Sequence, residues 1–244
     1  MASFLSSPMS AKESPLNFLK VVGTILVAVG VVAIVSEAFS FSLLIYYGTP
    51  IGALLGIVAI ILGAILIGPE TYIRYTDRFT EAVGIGSTWL TTIMVLVVCL
   101  NVVLRYVFGA GLLALQDASW YIFGILYLVG AAYTLKHDRH VRVDIIYTNL
   151  SPKAKVWVNL LGGIFFLIPF CVLGIWISLD FVSVSWNVRE TTPDPGGLPA
   201  RYLIKFMIPL GFTLILIQGL AEILKAYQQM RGKLPLPDGE GGLG

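Results

Sequence analysis

Long uninterrupted apolar stretches constrain this chain more than any other feature. A helix rising 1.5 Å per residue needs ~18 or more apolar residues to cross a ~30 Å hydrocarbon layer. The sequence holds six such runs, at about 20–44, 50–68, 82–104, 116–135, 156–180 and 202–224. A water-soluble globule is excluded. Hydrophobic residues make up 57% of the 244 and charged residues 12%, against roughly 45–50% and ~25% in soluble domains, and mean hydropathy is +0.86. Disorder requires the opposite balance. In lipid every backbone polar group must be satisfied within the protein, which leaves helices or closed barrels. The runs are continuously apolar and lack the alternation of a barrel strand. They predict an all-α polytopic bundle of six transmembrane helices. The first run has too long an apolar core for a cleavable signal, and no small-residue cleavage site follows it, so it is expected to remain as a helix.

A formal net charge of +2 offers no strongly basic surface for nucleic acid, so information lies in where the charges sit. Of the 16 Lys and Arg residues, 12 fall on one side of a six-span chain, among them Lys20, Arg74, Arg78, the Lys136–Lys155 cluster and Lys225. Arg105, Arg189, Arg201 and Lys205 fall on the other. By the positive-inside rule both termini are cytoplasmic. Dropping any one span would flip every later loop and place the Lys136–Lys155 cluster outside.

Few polar residues lie deep. Gly52-x-x-x-Gly56, continued by Ala59-x-x-x-Gly63, is a small-residue stripe that lets another helix approach closely. Glu37 reads as an interfacial acid near the outer boundary, and Asp117 as a helix-start acid favoured by the helix dipole. Glu222 and Lys225 are three apart and set for a local ion pair. Asn101 and Arg105 share one face, with the guanidinium able to snorkel or to meet an acid. Cys99 and Cys171 read as apolar filler, too few for a disulfide framework. His137 and His140 lack further ligands at metal spacing, and their loop position does not suit axial haem ligation. No catalytic constellation or phosphate-cradling loop is recognisable. The expectation is a protein that is not an enzyme and carries no cofactor or metal.

Two polar segments are more informative. Residues 136–152 mix cations with Val141, Val143, Ile145 and Ile146 beside a span, as an interfacial segment on anionic lipid would. Residues 185–202 are rich in Pro and Gly, too rigid for a mere tether, and read equally as a connector or a docking surface.

With these in view, the last two-thirds of the chain resembles the small membrane (Q-type, DctQ-like) subunit of tripartite ATP-independent periplasmic (TRAP) transporters. The resemblance rests on NVVLRYVFG from Asn101 to Gly109 and on the acidic helix start Leu115-Gln116-Asp117. It rests also on GAAYTLKHDRHVRVD from Gly130 to Asp144, and on DPGGLPARYLIK from Asp194 to Lys205 followed by Pro209-Leu210-Gly211. The third piece is similar to the family's His-Val-x-Val-Asp box. The last looks like the mannitol, chloroaromatic or organic-acid branch. It covers about residues 78–230 and departs from the family in having a single shorter carboxylate, Asp117, where Trp and two Glu are more usual. Residues 1–75, with two additional helices, have no counterpart in the usual four-helix subunit.

The resemblance implies three segments: a two-helix membrane extension over 1–75, a four-helix small permease domain over 76–230 and a cytoplasmic tail over 231–244. It implies a scaffold in the bacterial inner membrane that braces a large elevator-type subunit and helps receive a periplasmic substrate-binding protein during sodium-coupled uptake of an organic acid or related solute. The expected partners are these two proteins and membrane lipid. Arg105, Arg189, Glu190, Asp194 and Arg201 are the expected periplasmic docking residues. His140, Arg142 and Asp144 are the expected cytoplasmic anchor, and Gly52, Gly56 and Gly63 the packing stripe. A stand-alone small transporter or channel, and a membrane enzyme or redox anchor, are the other readings.

Overall fold

The computed structural model describes residues 14–39, 51–137, 147 and 149–236. Six helices carry the described chain: α1 Ser14–Phe39, α2 Ile51–Ile67, α3 Pro69–Val107, α4 Leu113–Lys136, α5 Pro152–Asn187 and α6 Tyr202–Met230. Five are long and apolar enough to cross a membrane, and α2, with 17 residues, falls just short. The bundle is a helical membrane fold. Position 75 lies in the second turn of α3.

Helix ends follow local chemistry. Gly68 takes φ 87°, a left-handed conformation open to glycine, and Pro69 starts α3 at once, so α2 and α3 share a one-residue joint. Ser151 caps α5 by accepting from the Ala154 amide at 3.3 Å, with Pro152 in the first turn. Pro169 has no N–H and crowds the carbonyl one turn back, and the helix answers with a π-helical turn over Gly163–Leu167. In α6 Thr213 donates to the Pro209 carbonyl at 2.7 Å.

α1 and α2 form a hairpin in which backbones nearly touch. A Cβ at Gly56 would sit 2.6 Å from the Gly30 carbonyl oxygen, and one at Gly63 2.6 Å from that of Gly23. The stripe on α2 therefore faces a matching pair of glycines on α1. Gly52 faces Glu37, which is buried in the hairpin, the absent glycine side chain leaving room for its carboxylate. The hairpin joins the core through Ile34, Ala53 and Ile60, which cluster with Ile175 and Val182 of α5 and Leu216 of α6. Cys171 is buried in that cluster, whereas Cys99 is exposed on α3. Outward faces carry Trp89, Tyr127, Phe166 and Ile177, as expected where hydrocarbon is the solvent.

Candidate docking surface and the polar knots that hold it

One end of the bundle, here the loop end, carries Arg105 and the link from α5 to α6. α5 stops in a Schellman motif: the Arg189 amide donates to the Trp186 carbonyl at 3.2 Å and the Glu190 amide to that of Ser185 at 3.0 Å. The left-handed position of this motif normally holds glycine, as Gly232 does after α6 with φ 70°. Here Arg189 fills it at φ 51°. A side chain in that region costs ~1–2 kcal/mol. The guanidinium lies 3.9 Å from the Trp186 ring centroid and 5.8 Å from that of Tyr202, contacts that offset part of the cost.

Glu190 ties the link together. Its Oε2 accepts from Lys205 Nζ and, at 2.6 Å, from Ser185 Oγ, while Arg201 Nε stands 3.8 Å from Oε1. Its backbone carbonyl accepts from the Arg201 amide at 2.9 Å. The Lys205 hydrogen bond first, and Ser185 second, hold the Glu190 carboxyl below the usual carboxylate range. Farther along, Asp194 opens a type II turn in which the Gly197 amide donates to its carbonyl at 3.1 Å and Gly196 sits at φ 88°. Asp117 is not a helix-start acid, since α4 begins at Leu113 and has none in its first turn; from the second turn it pins the link, its Oδ2 accepting from Thr192 Oγ1 and the Leu198 amide, both at 3.0 Å. A Cβ at Gly197 would meet that oxygen at 2.6 Å. The link is thus a pinned cap with Asp194 and Arg189 exposed on its surface.

The structure brings Arg189, Glu190 and Arg201 together and places Asp194 at the turn of the same cap. Arg105 stands apart, exposed at the end of α3 beside Gly111, with no ion pair to the cap among the described residues. His140, Arg142 and Asp144 lie outside the described residues. Lys205 and Ser185, which complete the Glu190 site, were not expected from sequence. Nor was the pin made by Asp117, whose local sequence gives no hint of a partner 75 residues away.

The opposite, basic end holds a second polar knot. Gln218, fully buried, accepts from Thr80 Oγ1 at 2.7 Å and donates to Asp77 at 3.0 Å and Glu222 at 2.8 Å. Lys225 Nζ bridges Asp77 at 2.9 Å and Glu222 at 2.8 Å. The expected pair is present, but as one edge of a network between α3 and α6. Tyr72 donates to the Ile217 carbonyl at 3.0 Å, and Glu81 pairs with Lys136 and lies 3.5 Å from His137. These groups satisfy one another, and no group of three or more metal-ligating side chains occurs among the described residues.

The family described as the DctQ component of tripartite ATP-independent periplasmic transporters matches residues 94–229, from mid-α3 to the end of α6, including both the cap and the α6 half of the buried knot. The chain belongs to the DctQ family. A TRAP transporter small permease protein of Haemophilus influenzae is 32% identical over 122 residues, 49% of this chain and 71% of the relative. No solved structure matches the chain. As a TRAP small permease subunit, this chain is a component of a transporter and a multi-pass inner-membrane protein. α1, α2 and the first two-thirds of α3 precede the matched region.

Proposed function

We propose that this subunit is a stationary scaffold whose pinned cap, facing the periplasm, receives the substrate-binding protein while the apolar helix faces brace the large membrane subunit. Both termini would then be cytoplasmic, a reading that the charge distribution supports. The transport is read as sodium-coupled uptake of an organic acid or related solute, on the strength of the sequence resemblance. The observation that carries the docking role is Arg189: a non-glycine residue held left-handed, stacked on Trp186 and exposed, where glycine would relieve the strain. Strained, over-determined residues mark sites that serve binding more than folding. The cap is also pre-organised by Glu190 and Asp117, which lowers the ordering cost of an encounter.

Reconstituted uptake with the large subunit and the binding protein tests this. Omitting the chain should abolish uptake. Arg189→Gly should leave helix content and melting unchanged or slightly improved while weakening capture of the binding protein on the order of tenfold, the size of an arginine hot spot. Uptake that continues without the chain, or uptake by the chain alone in liposomes, overturns the proposal.

A further inference from the structure

A groove of about 660 Å³ runs between α1 and the first turns of α3, within the size range of small-molecule sites. Its α1 wall extends from Lys20 to Val31, about 16 Å at the helical rise and close to the depth of one leaflet. Tyr75 and Phe79 form the opposite wall and Ile217 lines it from α6. The polar groups nearest its surface are mostly spent inside the protein: Thr24 Oγ1 donates to the Lys20 carbonyl at 2.9 Å and Tyr72 to the Ile217 carbonyl at 3.0 Å. What the groove offers is hydrocarbon.

One cation lines the groove and two more stand on its flank, outside the lining. Lys20 lines the groove, and Arg74 and Arg78 follow Thr71 by three and seven residues, on the flank of α3 beside the lining residues Thr71 and Tyr75. Arg74 and Arg78 are exposed, and none of the three cations makes an ion pair among the described residues. Glu70, one turn before Arg74, is the acid on this flank that the buried knot does not use. By contrast Lys136, Lys205 and Lys225 are all paired.

We infer that this groove binds one anionic phospholipid, its acyl chain between α1 and α3 and its phosphate among Lys20, Arg74 and Arg78. Basic pockets between helices at the cytoplasmic surface recognise acidic headgroups in this way. The lipid fills the wedge that α1 and α3 leave open. Apart from Ile217 its lining precedes the family match, and its occupancy does not depend on the docking proposal.

The test is native mass spectrometry of the full chain released from nanodiscs of equal phosphatidylglycerol and phosphatidylethanolamine. The wild type should retain one phosphatidylglycerol in preference to phosphatidylethanolamine by about tenfold or more, each cation contributing on the order of fivefold. K20A/R74A/R78A should bring that ratio near one. Ala28→Phe, filling the groove, should lose the retained lipid of either kind. Equal retention of the two lipids by the wild type overturns the inference, as does an unchanged preference in the triple variant. The triple variant alters partly or fully exposed side chains only, so it decides the matter even where Ala28→Phe fails to fold.

Discussion

The α1–α2 hairpin and the α3–α6 core sit in the same solvent and are held by different means. In the hairpin, glycine faces glycine and the backbones approach until no side chain fits between Gly30 and Gly56. In the core, Asp77, Thr80, Gln218, Glu222 and Lys225 form a hydrogen-bonded knot between helices far apart in sequence. Burial from water separates neither pair from its alternatives, because lipid tails are as apolar as leucine. The hairpin therefore relies chiefly on dispersion, which acts only at short range. The core relies on groups that have no other partner at that depth, which fixes one register.

The largest expected effect breaks the core alone. Lys225→Met leaves Asp77 and Glu222 as neighbouring carboxylates without their cation and should lower stability by about 3 kcal/mol, read as a shift in the SDS unfolding midpoint. The hairpin contact should survive, so the distance between spin labels on Cys substitutions at the exposed Val32 and Leu55, in a Cys99→Ser background, should match the parent's. A variant as stable as the parent would mean the knot does not hold the core.

Next, Gly56→Leu drives a side chain into the Gly30 carbonyl and Ile34, an overpacking expected to cost ~1–3 kcal/mol. Here the core knot should stay intact while the Val32–Leu55 spin-label distance lengthens. Equal loss of both contacts would show that hairpin and core are one cooperative unit.

The smallest effect concerns the cap. Glu190 has its carboxyl held low in the folded protein, so its stabilising contribution is fully present above the ordinary glutamate value of ~4.3 and is lost as pH falls through the depressed folded value. Trp186 fluorescence should report loosening in that acid range, and Glu190→Gln should remove the step. A step that persists in Glu190→Gln would assign it to another group.

What the sequence made legible follows the same division. Apolar runs located all six helices because chain-local hydropathy decides insertion, although α3 begins at Pro69 rather than near 82, its charged first turns being helical ahead of the apolar run. The glycine stripe of α2 was readable, but not its partners Gly23 and Gly30, since their pairing depends on hairpin register. Asp77 and Lys225 are 148 residues apart, and nothing local in either predicts the other. Glu190 and Arg201 stood out by their charge in a rigid loop, but Lys205 and Asp117 become their supports only once the helix ends converge. Arginine has no preference for the left-handed region, so the conformation of Arg189 was invisible until the Schellman motif was built.

Gly68 leaves no slack between α2 and α3. With one residue as coupling to α3, and with Ile34, Ala53 and Ile60 set against α5 and α6, the N-terminal pair is bolted to the bundle at its foot and along its face and cannot swing apart from it.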